Sequence, residues 1–578
     1  MATDNRRNNK KRSSSKGGRS GKKDFTNTKR VPASDSGDYT ASDKGMRNCQ
    51  KSADNDPAWY AQNPQILKDS ASFSFNYPLG SKLNFGDSKA ATKMNKTSLP
   101  GIMAIYTSPS FGNSVHSNSP INTASRNIYS FVRHANSGHS NYDAPDLMLY
   151  LTAMDNLYAF VSFLKRAYGL MMPAYYTNRY LPKALISAMK LDYDDLNTHL
   201  NDFRSFINRL ALRVGSMCIP ASMSYMARHM WMYEHVWTDD TSDKAQLYLY
   251  TPHGFFKYSL DTDKAGQLEY KALFSGETTA LKFQDLVNYG EALLEPILSS
   301  EDMNIMSGDI LKAFGPENLY KINMIDEAYL VVPEYSSEVL DQIQNTTFIG
   351  HFSGTPTLHQ DSTKGYLVFD PVFDVMYQPE KGNFPGLNVM VTDRVVTFPH
   401  GDIRPEDTMV ATRLTNIMNV LTNGSVSEIP VIKCETMGSE IAHHGTIYNY
   451  QMNGDKWELN MSKPIYTSMV FIMDSTHTFG SSTDENIAGV QDLVSDLGAT
   501  LALIGQISTF DRHPGVGLSG FISMSASTPD VGAGTSDSFH NVSTFNSLLL
   551  DASYYTILNS QDLINLAETA LLSEFNIV

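Results

Sequence analysis

A chain of 578 residues that is 41 % hydrophobic and 11 % aromatic can build packed interiors over most of its length, which excludes a wholly disordered protein. Its three cysteines, Cys49, Cys218 and Cys434, lie far apart without CxxC spacing, excluding a disulfide framework and a cysteine-based zinc site and fitting a reducing compartment. The formal net charge is −15, yet only 19 % of residues are charged; Ser, Thr, Asn, Tyr and Met take their place, as in protein-binding surfaces or in a large, core-heavy protein.

The charge is unevenly placed. Eleven of the first thirty residues are basic (Arg6, Arg7, Lys10, Lys11, Arg12, Lys16, Arg19, Lys22, Lys23, Lys29, Arg30), against two acids, Asp4 and Asp24. That segment carries +9 and the remainder about −24. Residues 1–55 hold almost nothing apolar, cannot offset their ordering entropy by burial, and are expected to be disordered until bound. A mobile polycation neutralises phosphates without reading bases, so these eleven residues form the candidate RNA-binding set. A nuclear-localisation or solubility tail is the plainer alternative. No signal peptide is expected, since no apolar stretch follows the basic start.

Order is expected from Asp56-Pro57-Ala58-Trp59-Tyr60, and residues 56–240 read as mainly helical. Leu147–Met172 is the one stretch apolar and long enough to suggest a membrane span, but Asp155, Lys165 and Arg166 interrupt it. Apolar residues at 147, 150, 151, 154, 158, 161, 164 and 168 fit a buried helix of a soluble domain, with Pro145 and Asp146 at its start, so no stable membrane insertion is expected. Further helices are expected over Asp194–Val214 and Ser222–His235. After Asp239-Asp240 the texture changes: residues 245–260 read as strands around a Pro-His-Gly turn, followed by helices at 282–300 and Met306–Phe314. Residues 345–400 and 425–475 hold short β-branched and aromatic runs, separated by a helix near Pro405–Leu421. Helices are expected again at 484–504 and 560–575, the latter capped by Ser560. The expected class is α+β, with helical ends around a β-richer middle.

Motifs for catalysis are absent. Gly515-Val-Gly-Leu-Ser-Gly520 matches a dinucleotide fingerprint only on paper, because Pro514 precedes it and a strand-like Phe521-Ile-Ser-Met follows; an ordinary glycine-rich turn is expected. His134 with His139, and His229 with His235, lack metal-ligand spacing, and the adjacent His443 and His444 cannot easily share one ion. Structural or surface roles are expected for all of them. Asp194-Asp195 and Asp239-Asp240 read as helix-start or loop acids. No catalytic residue, metal ligand or cofactor is expected.

Several segments together resemble the capsid proteins of picobirnaviruses, small icosahedral double-stranded RNA viruses. They are Asp56–Leu67, Ser119–Asn122 continuing through Val132–Tyr142 to Asp146-Leu-Met and Ala153–Tyr158, Pro220-Ala-Ser-Met, Arg228–Met232 and Ile305–Gly315, with weaker similarity through Ala411–Leu414 to the end. The strength lies in their number and order, and the similarity is weakest over about 320–480. The resemblance implies a particle of symmetric dimers. A mainly helical shell domain would be built from 56–240 and 483–578, with 241–482 projecting outward as a β-richer dimerisation domain and the arm (1–55) pointing inward to viral RNA. It further implies a virion protein assembled in the host cytoplasm, with itself, viral RNA and an enclosed viral polymerase as partners. The polar run Arg133, His134, Asn136, His139 is then either a buried network or a contact between subunits. Two other classes compete: a non-assembling RNA-binding nucleoprotein or chaperone, and an enzyme acting on nucleic acid, which lacks a site.

Overall fold

A computed structural model describes residues 63–71, 82–84 and 96–98, and 101–575 except 138–140, 173–179, 242–244, 262–264, 275, 277–278, 375–393, 422–430, 454–455, 476–502 and 525–541. The chain divides into two compact units, Met1–Phe75 and Asn76–Val578. The described part of the first is one helix, Pro64–Ala71.

The second unit is organised by the helix Ala144–Met171. Asp143 caps it by accepting from Asp146 N at 3.2 Å, while the Asp146 carboxylate accepts from Asp143 N at 3.1 Å. Every residue from Leu147 to Met171 is buried, not merely the stripe with helical spacing. A helix apolar on all sides must be surrounded. Helices Pro120–Ala135, Leu181–Ala188, Leu200–Val214, Ser224–Glu234 and Phe283–Leu298 and strand Gly254–Leu260 pack around it. Its charges explain why protein rather than lipid encloses it. Asp155 bonds His229, Lys165 lies 3.8 Å from Glu234, and Arg166 donates to the carbonyls of His235 (3.0 Å) and Tyr250 (2.7 Å).

Against this helical layer lies a six-stranded sheet in the order Lys456–Met461, Glu440–Asn453, Ile102–Pro109, Leu247–Pro252, Val236–Thr238, Pro333–Tyr335. Ile102–Pro109 is wholly buried and central, antiparallel to Glu440–Asn453 and parallel to Leu247–Pro252. The Glu440 strand carries a bulge: Ala442 pairs with Thr107 and His444 with Tyr106, leaving His443 as the extra residue. Strands Leu247–Pro252 and Gly254–Leu260 do not form a hairpin. The chain leaves one sheet at His253 and enters a four-stranded antiparallel sheet with Gly266–Ala272, Thr357–Gln360 and Leu367–Val368. Gly254 is required there, since a Cβ would sit 2.5 Å from the Tyr270 hydroxyl.

Several expected elements differ in detail. The 194–214 helix is broken at His199 into Tyr193–Thr198 and Leu200–Val214. The helix ending at Phe314 begins earlier, at Glu301, where the Ser300 side chain caps it. The helix at Pro405 ends at Ala411, and Met418–Leu421 is a strand, because its backbone pairs with Val431–Cys434. The C-terminal part is not simply helical: strands Val516–Met524, Val542–Leu549 and Tyr554–Leu558 precede the final helix, Ser560–Glu574. The glycine-rich run at 515–520 enters the first of these strands, which pairs with Ser468–Ser475 and Val542–Leu549, so it is neither a turn nor a cofactor loop. Asn559 rather than Ser560 caps the last helix, accepting from Asp562 N at 3.0 Å. Most of the helix expected at 484–504 lies outside the described residues.

Candidate assembly surface and buried ionic centres

The eleven basic residues Arg6 to Arg30, together with Cys49 and His139, lie outside the described residues. The polar run before His139 is divided: Asn136 is buried, donating to the carbonyls of Val132 (2.9 Å) and Asp309 (3.1 Å), whereas Arg133 and His134 are exposed.

Deep in the second unit, three distant segments meet through charge. Asp155 sits mid-way along the central helix, Arg228 and His229 on the Ser224–Glu234 helix, and Glu440 opens the bulged strand; Asp155, His229 and Glu440 are fully buried. His229 Nδ1 lies 2.8 and 2.9 Å from the two Asp155 oxygens, and its Nε2 lies 3.1 Å from the Ser439 carbonyl. Both ring nitrogens face oxygen atoms, the arrangement an imidazolium makes, while burial raises Asp155 above the ordinary carboxylate value against the pull of His229. Burial opposes that charge, but Asp155 and then Glu440 raise the group to about 8. Arg228 grips both Glu440 oxygens, Nη2 to Oε2 at 3.0 Å and Nε to Oε1 shorter. Burial alone would push Glu440 up; Arg228 and His229 hold it below its ordinary value. The C-terminal helix closes over this centre, with Phe575 stacked on Tyr225 at 4.5 Å and the Tyr225 hydroxyl donating to Ser110 O at 2.6 Å. Asp155–His229 resembles half of a hydrolytic triad, but its imidazole has no free lone pair and faces a carbonyl where a nucleophile would stand. It is a structural clamp.

A second polar centre forms where the chain changes sheets. The bulge brings both His443 and His444 to His253, with ring centroids 4.4 and 5.9 Å away, and His351 lies 5.1 Å from the same ring. The bulge sets these two adjacent histidines toward the same ring, where regular alternation would place them on opposite faces of the strand. His443 is satisfied at both nitrogens, Nδ1 donating to Gly350 O and Nε2 facing Ser108 Oγ, each at 2.7 Å. Burial first, then the neighbouring cations and imidazoles, holds His253 and His444 well below the ordinary imidazole value.

Among the described residues, one apolar strand stands out at the surface. Tyr554–Leu558 pairs on one side with Arg394–Phe398, whose Val396 and Phe398 are buried. Among the described residues its other edge has no strand partner, and Tyr554, Tyr555 (64 % exposed) and Ile557 (60 %) face solvent. Beside it a recess is lined by Tyr335, Asp511, Arg512, Asp551 and Ser553, and Tyr335 is itself exposed. An unpaired, aromatic edge is an association hazard unless a partner covers it.

The model of the picobirnavirus capsid protein family matches residues 59–532. The chain belongs to that family. A capsid protein precursor from human picobirnavirus (strain Human/Thailand/Hy005102/-) is 33 % identical over 421 residues, 69 % of this chain and 75 % of the relative. The X-ray crystallographic structure of the picobirnavirus capsid superposes with a TM-score of 0.71 at 21 % identity, covering 90 % of this chain and 98 % of the other. This is therefore a picobirnavirus capsid protein, a structural component of the virion and a member of a family that is not enzymatic. The α+β class expected from the sequence holds in the fold.

Proposed function

We propose that this capsid protein associates as symmetric dimers, that the dimers close into an icosahedral shell, and that residues 1–50 package viral RNA on its inner side. The observation that carries the RNA half is the division of charge, +9 on the first thirty residues against about −24 on the rest. A cationic tether engages phosphate while the acidic body is repelled from it. Self-association is supported by the solvent-facing Tyr554–Leu558 strand, a surface that a second copy would cover; obligate dimers of this kind bury on the order of 2,000–5,000 Å². Residues 56–240 and 483–578 would form the shell and 241–482 the outward projection. Assembly in the host cytoplasm around RNA and an enclosed viral polymerase completes the reading.

Truncation before Asp54 tests it. Dimers and empty shells should persist while nucleic-acid content falls; normal RNA packaging by the truncated chain overturns the role of the arm. Sedimentation separates the alternative, a non-assembling RNA-binding nucleoprotein. Uniform large particles support the shell, and small aggregates that need RNA support the nucleoprotein.

A further inference from the structure

We infer that His253, His351 and His444 form a binding site for a borderline-soft divalent metal ion of the zinc class. Each offers a ring nitrogen, and these atoms lie within 4.8 Å of one another. The three come from segments about ninety residues apart in sequence: the turn between two sheets, the stretch after Gly350, and the bulge of the Glu440 strand.

The surroundings prepare each ring for ligation. The Nδ1 edge of His253 is taken by the Tyr270 hydroxyl at 2.6 Å, which leaves Nε2 as its ligand atom. Such a contact fixes ring orientation in the way that outer partners fix metal-bound histidines. His443 has both nitrogens occupied and is no ligand, but its bond to Gly350 O pins the backbone immediately before His351. His444 is the decisive group. It is 1 % exposed, Tyr106 stacks on it at 4.4 Å with planes 19° apart, and neither ring nitrogen has a hydrogen-bond partner. Buried polar atoms are almost always satisfied, so an imidazole with two orphaned nitrogens beside two other imidazoles points to a missing ligand.

The donor set selects the ion. Three imidazoles without a thiolate or carboxylate suit zinc, cobalt, nickel or copper and do not suit calcium or magnesium, which want oxygen. Tetrahedral ligation at about 2.0–2.1 Å needs nitrogens about 3.3 Å apart, so an ion would draw together ring nitrogens that already lie within 4.8 Å of one another. The Lys190 ammonium lies 4.4 Å from the Tyr106 ring centre and adds positive charge to the neighbourhood, so an anion or hydroxide is expected in the fourth position. Bound metal would tie the two sheets together at the point where the chain passes between them.

Full-length protein stripped with chelator and titrated with Co²⁺ should develop the visible absorption of a tetrahedral cobalt site, and Zn²⁺ should abolish it. Zinc retained after gel filtration should be about one equivalent per chain. His351→Gln and His253→Gln should each lower zinc affinity by tenfold or more, on the order of the loss seen when a metal site loses a supporting group. The exposed His134→Gln should leave it unchanged. His351 is half-buried, so its variant should fold even if His444→Gln does not. Retention equal to wild type in His351→Gln, or no cobalt band in wild type, overturns the proposal.

Discussion

Glu440 holds Arg228 through both carboxylate oxygens, and no part of that carboxylate reaches solvent. Removing one member of a buried pair strands the other charge in a poor solvent, which costs roughly 3–5 kcal/mol. Glu440→Gln is therefore expected to lower the denaturant midpoint sharply. The double variant Arg228→Met, Glu440→Leu should be more stable than Glu440→Gln, because it leaves no orphaned charge. Strictly additive losses in chemical denaturation would contradict this.

His229 gives the fold a defined response to alkali. Its folded value of about 8 lies above the ordinary 6.5. A raised value means the fold binds the proton more tightly than the unfolded chain does. The contribution is complete below pH 6.5 and fades as pH climbs through 8, a loss of about 2 kcal/mol between about pH 6 and about pH 9. Unfolding free energies across that range should show the decline, and Asp155→Asn should flatten it.

Close approach, rather than charge, fixes one side of the central helix. A Cβ on Gly169 would stand 2.6 Å from Val331 Cγ2 and 3.0 Å from Val331 N. Gly169→Ala should cost about 1–3 kcal/mol by overpacking. Adding Val331→Ala should recover only part of this, since the backbone contact remains. A Gly169→Ala melting temperature equal to wild type would show that the contact yields freely.

The apolar edge strand separates folding from assembly. Tyr555→Asp combined with Ile557→Asp alters exposed side chains, so the circular dichroism spectrum and melting temperature should change little. Sedimentation should nevertheless show loss of large particles. Shells of normal size and yield would place the contact elsewhere.

The arm should declare itself through salt. About nine net charges engaging single-stranded RNA give a log–log slope of roughly −6, so a fourfold rise in salt weakens binding by something near 10⁴. Neutralising Lys22 and Lys23 together should reduce the slope by about 1.4. A slope near zero would remove the electrostatic mechanism.

The central helix was legible because Pro145 and Asp146 mark its start and apolar spacing runs its length, yet that spacing understated its burial. A stripe shows which face must be covered, not how many neighbours arrive. The partners of His229 were illegible: Asp155 and Glu440 belong to elements that only the tertiary fold brings together. The helix break at His199 and the early end at Ala411 were missed for a similar reason, with pairing of Met418–Leu421 outweighing local helical preference. Tyr554–Leu558 was readable, an aromatic and β-branched run set just before a helix cap, and was passed over in favour of the helix that follows. The eleven basic residues of the arm were plain from composition alone, since charge needs no fold to be counted.

The extra residue at His443 sets a phase. On one side of it the strand presents Glu440 to the ionic clamp, and on the other it presents Gly445 to the ring of Phe348. Were the strand instead to pair regularly through that position, one half would turn its faces over relative to the other. Side chains along this stretch therefore keep their faces only while the bulge holds.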